Sequence, residues 1–379
     1  VNRIAWFWRA YAFGPADTFV FRTSLNFIDS VWEIFGALGC GASLVVVPDS
    51  QVRDPQQLVA ACAGAGVTHL VFVPALLRAV LDVAPDLGEQ LPGLRLCLTS
   101  GEALAPDLCA RFKAAAPRAT LLNIHGTSEV WDVSCAEVQD HAESTRVPIG
   151  HPIPGVQAYV LDPHDQPVPL GVVGELCVSG LGVGPGYWRE PALTAASFPA
   201  DLLDQRRRMY RTGDLARWRS DGKLECLGRT DQQIKLRGHR IELAELEAAL
   251  VAQPGIRMAV ADLRGSAPRL CAWIESEAGH RPDPAELRRA LRAGLPAPLV
   301  PACIEPVETW PLTPSGKISR SELPDPGDAG PAGDTTPRTD TERRVMGLWS
   351  GLLDGQAPGR DDDFFASGGD SMLATRLVS

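Results

Sequence analysis

The chain has no apolar run long enough to cross a bilayer. Its apolar stretches, such as SLVVVP and HLVFVP, have the length of buried strands. Positive charge is in deficit, with 36 Lys and Arg against 46 Asp and Glu and a net charge of -10. Phosphate backbones and acidic membranes are held by clustered Lys and Arg, so neither nucleic acid nor a membrane is expected as a partner. The nine cysteines are scattered and form no C-x-x-C pair. That argues against a zinc site or a disulfide framework and points to a reducing, cytoplasmic compartment. The sequence opens at Val1 without Met or signal peptide, and its end, ATRLVS, reads as cut inside a helix. An internal piece of a longer protein is expected. What is present is a chain of 379 residues, 45% hydrophobic and 22% charged, with the composition of a soluble globular protein and more than one domain's length.

The hydrophobic pattern alternates between strand and helix. Ser43 to Pro48 predicts a buried strand, PQQLVAACAGAG a helix and HLVFVP another buried strand. ALLRAVLDV, LRLCLTSG, DLCARFKAAAP and ATLLNIHG continue the alternation. Such a series indicates a parallel sheet with crossover helices. From Val147 the texture changes to short β segments punctuated by Gly and Pro, which predicts an antiparallel or barrel-like lobe. A small α+β unit follows to about Leu323. PDPGDAGPAGDTTP then has the composition of a flexible linker. Thr339 and Glu342 have the spacing of a capping box, with Val345, Leu348, Trp349 and Leu352 at helical spacing behind it. A second, helical domain begins there.

The stretches NIHGTSE, GELCVSGLGVGPGYW, YRTGDL, GRTDQQIKLRGHRIELAELE and PLTPSGKISR occur in that order. Together they closely resemble the core motifs of adenylate-forming enzymes, specifically the adenylation domains of nonribosomal peptide synthetases. DDDFFASGGDSMLA resembles the phosphopantetheine attachment site of a peptidyl carrier protein. The resemblance covers nearly the whole chain. It implies an α/β fold: a large lobe over 1–230 with a parallel sheet and a β-rich subdomain, and a small α+β lobe over 231–325. A linker over 326–338 and a partial helical carrier over 339–379 follow. The Gly/Ser/Thr-rich phosphate loop carried upstream by these enzymes is absent. The N-terminal part of the large lobe is therefore expected to be missing, and this piece alone to adenylate poorly.

The resemblance implies that ATP and a carboxylic acid form an acyl-adenylate with release of pyrophosphate, and that the acyl group then passes to a thiol. Such chemistry needs charge neutralisation and alignment more than covalent help. Ser128 would donate to the α-phosphate and Glu129, a hard oxygen ligand, would hold Mg²⁺. His125 stands where the family has an aromatic stacked on adenine. Asn123, Gly126, Gly101 and Glu102 fall on the nucleotide side. Asp214 would accept from the ribose hydroxyls, as carboxylates do in dinucleotide sites, backed by Arg229. An Asp–Arg surface pair is the plainer alternative. Asp231 matches the hinge between lobes. Lys317 matches the lysine that bridges carboxylate and phosphate in adenylation, and Lys235 lies on the face presented for thioester formation. Most lysines are simply solvated surface charges. Ser371, at the start of a helix, would carry covalent 4'-phosphopantetheine, added by a phosphopantetheinyl transferase; a helix cap is the bland reading. GLGVGPGYW follows a strand but leads into no helix, so it is taken as a structural turn and not a dinucleotide loop.

One stretch bears on the substrate. In NFIDSVWEIFGAL, an acid sits inside an apolar segment, where it needs a partner. α-Amino-acid enzymes of the family have the acid directly after the Phe, paired with the substrate ammonium. Here Ile28 takes that place and Asp29 follows. The stretch also resembles that of β-alanyl-amine synthases of the Ebony type, which implies a β-amino acid, β-alanine first. By resemblance Trp32, Leu76, Leu98, Ser100, Ile124, Asp132 and Val133 also line the pocket, with Trp32 limiting depth and Asp132 a second candidate for the amine. Alternatively Asp29 caps a helix beginning near Val31. The expected function is amino-acid activation and loading of a carrier in cis, in line with downstream synthetase modules. The alternatives are an acyl- or aryl-CoA ligase of the same superfamily, which needs no tethered carrier, and a non-catalytic remnant or docking module.

Overall fold

The computed structural model describes residues 1–138, 146–230, 233–236, 239–265, 268–277, 279–311, 318–326 and 337–352, with Phe364 and Leu377. The chain divides into two compact units, Val1–Asp231 and Gln232–Ser379.

The first unit is built on a seven-stranded sheet of β1 (Thr18–Phe21), β2 (Ser43–Val46), β3 (His69–Phe72), β4 (Leu96–Thr99), β5 (Thr120–Thr127), β6 (Trp131–Glu137) and β7 (His151–Pro152). The order is β2-β1-β3-β4-β5-β6-β7. Strands β1 to β5 are parallel; β6 and β7 are antiparallel. Helices Pro55–Gly64, Pro74–Val83 and Pro106–Ala115 make the crossovers. Each begins on a proline, whose missing N–H costs nothing in the first turn. Asp54 caps the first of them, accepting from the backbone of Gln56 at 2.9 Å and Gln57 at 3.2 Å. The α/β alternation expected from the sequence is thus realised.

Two expectations need correction. β2 is not buried: it is the sheet edge, and Val46 is 66% exposed. β-Branched runs do not distinguish an edge from a centre, because strand order is set by the crossovers. The antiparallel texture also starts at Trp131, before Val147, because β5 turns straight back into β6. A second sheet of β8 (Val156–Leu161), β9 (Gly174–Gly180), β10 (Met209–Trp218) and β11 (Leu224–Arg229), in the order β11-β10-β9-β8, is antiparallel throughout.

The second unit holds the hairpin β12 (Gln233–Leu236) and β13 (His239–Glu242), then β14 (Ile256–Arg264), β15 (Arg269–Ser276) and β16 (Cys303–Pro306) in one sheet. Helices Leu243–Val251 and Pro284–Gly294 supply Leu246, Leu250, Leu287 and Leu291 to a core shared with Ala261, Ala272 and Ile304. Helix Asp340–Leu352 begins with the expected capping box. Glu342 N–H donates to Thr339 Oγ1 at 3.1 Å, and Thr339 N–H donates back to the Glu342 carboxylate at 3.1 Å. Lys317, Asp231, Ser371 and most of the linker lie outside the described residues. No helix among the described residues is long and apolar enough to cross a membrane.

Candidate active site

Two groups of polar side chains gather in the first unit, one of them beyond the C-terminal ends of β1 and β4, where open parallel sheets bind ligands. The first surrounds Asp29. The chain turns helical at Asp29–Val31 and passes directly into a π-helical turn, Trp32–Gly36. π-Turns frequently mark functional sites. Here the turn puts Trp32 into the core, 1% exposed, against Phe7 at 4.7 Å and Phe19 at 5.8 Å between ring centroids. Burying a side chain of this kind stabilises the fold by about 3 kcal/mol. Glu33, equally buried, faces the preceding loop. It accepts from Arg22 N–H at 3.1 Å, Thr23 N–H at 2.9 Å and Thr23 Oγ1 at 2.7 Å. These bonds fix the loop that delivers Asp29.

Asp29 does not cap its helix: the helical segment begins at Asp29 itself, after Ile28. Its carboxylate accepts from Ser100 Oγ at 2.8 Å, 71 residues further on and just past β4. Asp132, at the start of β6, is 5% exposed. It pairs with the buried guanidinium of Arg3, on the first helix, Asn2–Tyr11. That guanidinium lies over the rings of Trp32 at 4.5 Å, Phe7 at 4.6 Å and Trp131 at 5.2 Å. Burial pushes the Asp132 carboxyl up to about 6; Arg3 works against this and the negative charge of Asp29 adds to it. Arg22 is tied to the carbonyl of Val71 at 3.0 Å and interacts electrostatically with Glu33 and, less strongly, Asp29.

Leu98 and Ile124 pack in the same core as Trp32, and Leu76 is buried on its helix. Ile28 is half-exposed beside Asp29. Val133 lies elsewhere: it joins Val130, Ile149 and Val160 in the core of the second sheet, because neighbours on a strand point to opposite faces.

The second group surrounds Asp214. On adjacent strands Asp214 of β10 pairs directly with Arg229 of β11, and Arg229 Nη1 donates at 2.6 Å. His125 Nε2 lies 3.2 Å from the other Asp214 oxygen. Asn123 is buried and donates to the carbonyl of Pro148 at 2.9 Å. Glu102 accepts from Ala75 N–H at 3.3 Å, at the head of helix Pro74–Val83, beside Gly101 in its left-handed backbone conformation. Ser128 is exposed in the turn between β5 and β6. Glu129 follows, and the Gly-rich segment clamps it. Gly184 N–H donates to its carbonyl at 2.9 Å and Tyr187 Oη to its carboxylate at 2.9 Å. A Cβ on Gly182 would lie 2.6 Å from the carbonyl of Val130, so only glycine allows this approach. A short helix, Pro191–Ser197, follows this segment after all. Lys235 is half-exposed on β12, in the second unit.

Arg3, Arg22, Glu33 and Tyr187 were not singled out from the sequence. A lone cation in VNRIAWFW and a second acid in DSVWEIF were the available signals. Each is a charge set among apolar residues, and such a charge needs a partner.

Residues 1–188 match the family of AMP-binding enzymes. Phosphinothricin tripeptide synthetase PhsB of Streptomyces viridochromogenes is 42% identical over 391 residues, which cover 100% of this chain and 32% of that protein. The dimodular nonribosomal peptide synthase of Bacillus subtilis is 39% identical over 374 residues, covering 98% and 15% respectively. Among solved structures, holo-PA1221, an NRPS protein containing adenylation and PCP domains, superposes with a TM-score of 0.78 at 33% identity. The superposition covers 97% of this chain and 61% of that one. The chain carries an AMP-binding domain of the nonribosomal peptide synthetase adenylation type, a class of ATP-dependent ligases. It spans no more than about a third of the length of these two curated relatives.

Proposed function

We propose that this chain belongs to a synthetase that activates a β-amino acid, β-alanine foremost, as its adenylate and passes it to a carrier in cis. One observation carries the substrate reading. Around the pocket stretch stand three carboxylates, Asp29, Glu33 and Asp132, and two guanidiniums, Arg3 and Arg22. Arg3 is committed to Asp132, and Arg22 interacts electrostatically with Glu33 more strongly than with Asp29. One negative charge is left over, and it sits at Asp29, the more accessible acid. A substrate ammonium balances it. Asp29 stands one residue beyond the position used for an α-ammonium, which suits an amine one carbon further from the carboxylate.

In the reaction, a substrate carboxylate oxygen attacks the α-phosphorus of ATP, the bond to the bridging oxygen breaks and pyrophosphate leaves. A thiol then attacks the acyl carbon and AMP leaves. Asp29, oriented by Ser100, anchors the amine and so aims the carboxylate. Ser128 and Glu129, in the turn after β5, face the phosphates, and Lys317 would bridge the two reactants. Asp214, braced by Arg229 and His125, retains lone pairs for the ribose. Mg²⁺ keeps waters and phosphate oxygens and needs only one or two carboxylates; Glu129 would supply one. Bound there, it would neutralise phosphate charge. Phosphopantetheine on Ser371 would supply the thiol, after modification by a phosphopantetheinyl transferase, and downstream modules would consume the product.

The test is pyrophosphate exchange by the full-length protein. β-Alanine is expected to drive exchange and α-alanine to drive it poorly; the reverse preference overturns the reading.

A further inference from the structure

The Arg3–Asp132 pair raises a question of its own. Two carboxylates, Asp29 and Asp132, are close enough to feel one another, and the proposed site has to hold one ammonium. Left alone, both would compete for it. Arg3 is 3% exposed and boxed in by Phe7, Trp32 and Trp131, which holds its guanidinium on Asp132. Trp131 holds its place over Arg3 with a left-handed backbone, φ 61°, which a bulky residue adopts only under constraint. The close approach of Gly126 to the Trp131 carbonyl provides that constraint. The Arg3 Nη1 nitrogen is buried with no hydrogen-bond partner among the described residues, so the side chain is held there for its charge and stacking at the cost of an unsatisfied donor.

We propose that Arg3 is a specificity-determining positioning residue: it commits Asp132, leaves Asp29 as the one carboxylate open to substrate, and so restricts the pocket to amino acids with a single ammonium group. This rests on Asp29 as the amine partner, not on the β position of the amine. Arg3 touches no substrate. It acts through the charge of Asp132.

The probe is 2,3-diaminopropionate, which is at once β-alanine and α-alanine with one further ammonium. In pyrophosphate exchange by the full-length protein, kcat/KM is measured for this compound and for whichever alanine the unaltered protein prefers. That preference tests the β reading separately. Arg3→Met is expected to move the ratio toward the diamino substrate on the order of tenfold, mainly through KM, as one uncompensated charge would. Adding Asp132→Asn to Arg3→Met should bring the ratio most of the way back, and Arg3→Lys should hold it. An unchanged ratio in Arg3→Met, or a double variant no closer to the unaltered protein than the single one, overturns the proposal. If Arg3→Met does not fold, Asp132→Asn alone decides. It leaves Arg3 uncompensated beside Asp29, and the KM for the alanine should rise on the order of tenfold. A KM that stays put refutes the role.

Discussion

At the scale of single residues, the proposed pocket would work by charge count. Glu33 is the least obvious member, because it reaches no substrate. Its charge acts on the Arg22 guanidinium more strongly than that of Asp29 does, while its carboxylate accepts the backbone donors of Arg22 and Thr23. Glu33→Gln retains an accepting oxygen but removes the charge. Arg22 is then free to neutralise Asp29. The KM for the amino acid should rise on the order of tenfold, with kcat nearly unchanged, since the lost interaction is the same in ground and transition states. Exchange kinetics with the amino acid varied at saturating ATP would show it. An unchanged KM would mean that Arg22 does not reach Asp29. Asp29 was legible in the sequence because it interrupts an apolar run. Its partner Ser100 was named only through the family resemblance, and Arg3 not at all: a contact across 129 residues leaves no local trace.

At the scale of elements, the β5–β6 hairpin joins the two groups of polar side chains. His125 and Glu129, proposed for the nucleotide side, and Asp132, proposed for the amine side, all lie within eight residues. The register shifts between His125 and Gly126, and there the strands come so close that a Cβ on Gly126 would lie 2.0 Å from the Trp131 carbonyl. Gly126→Ala must push backbone away from backbone. The expected cost is about 1–3 kcal/mol, read as a lower thermal midpoint, with loss of exchange activity beyond what the stability change explains. A variant with an unaltered midpoint and full activity would show that the hairpin yields freely. The strands and helices here were readable from period and flanking Gly and Pro. The edge position of β2, the bulge and the π-turn were not, because each depends on what packs alongside.

At the scale of the whole molecule, two units with separate cores give two sets of stability determinants. In the first, His69 of β3 stacks on Phe19 at 4.5 Å, and burial pushes its imidazolium from 6.5 down to about 4 although Asp17 pulls the other way. A folded value below the unfolded one means the neutral ring contributes stability that is complete above about 6.5 and is lost as pH falls toward 4. Asp132, raised from 3.8 to about 6, acts in the opposite sense, and its ionisation costs stability as pH rises through that interval. The net response is a difference, so the comparison is between proteins. In His69→Gln, the midpoint of the first unit should fall less between pH 6.5 and 4 than in the unaltered protein. The midpoint of the second unit should not change. Parallel pH slopes in both proteins would remove His69 from the acid response.

The sequence by itself determined the α/β alternation, the capped helix Asp340–Leu352 and the order of motifs that marks an adenylation domain. These rest on neighbours along the chain: hydrophobic period, turn residues and caps act within a few positions. Only the tertiary structure decided which charges meet. Asp29 finds Ser100, Asp132 finds Arg3, His125 finds Asp214 and Glu129 finds Tyr187, each across 58 to 129 residues. The reason is physical. A buried charge is stable only with its partner in contact, and strand order and hairpin register decide which partners come within reach.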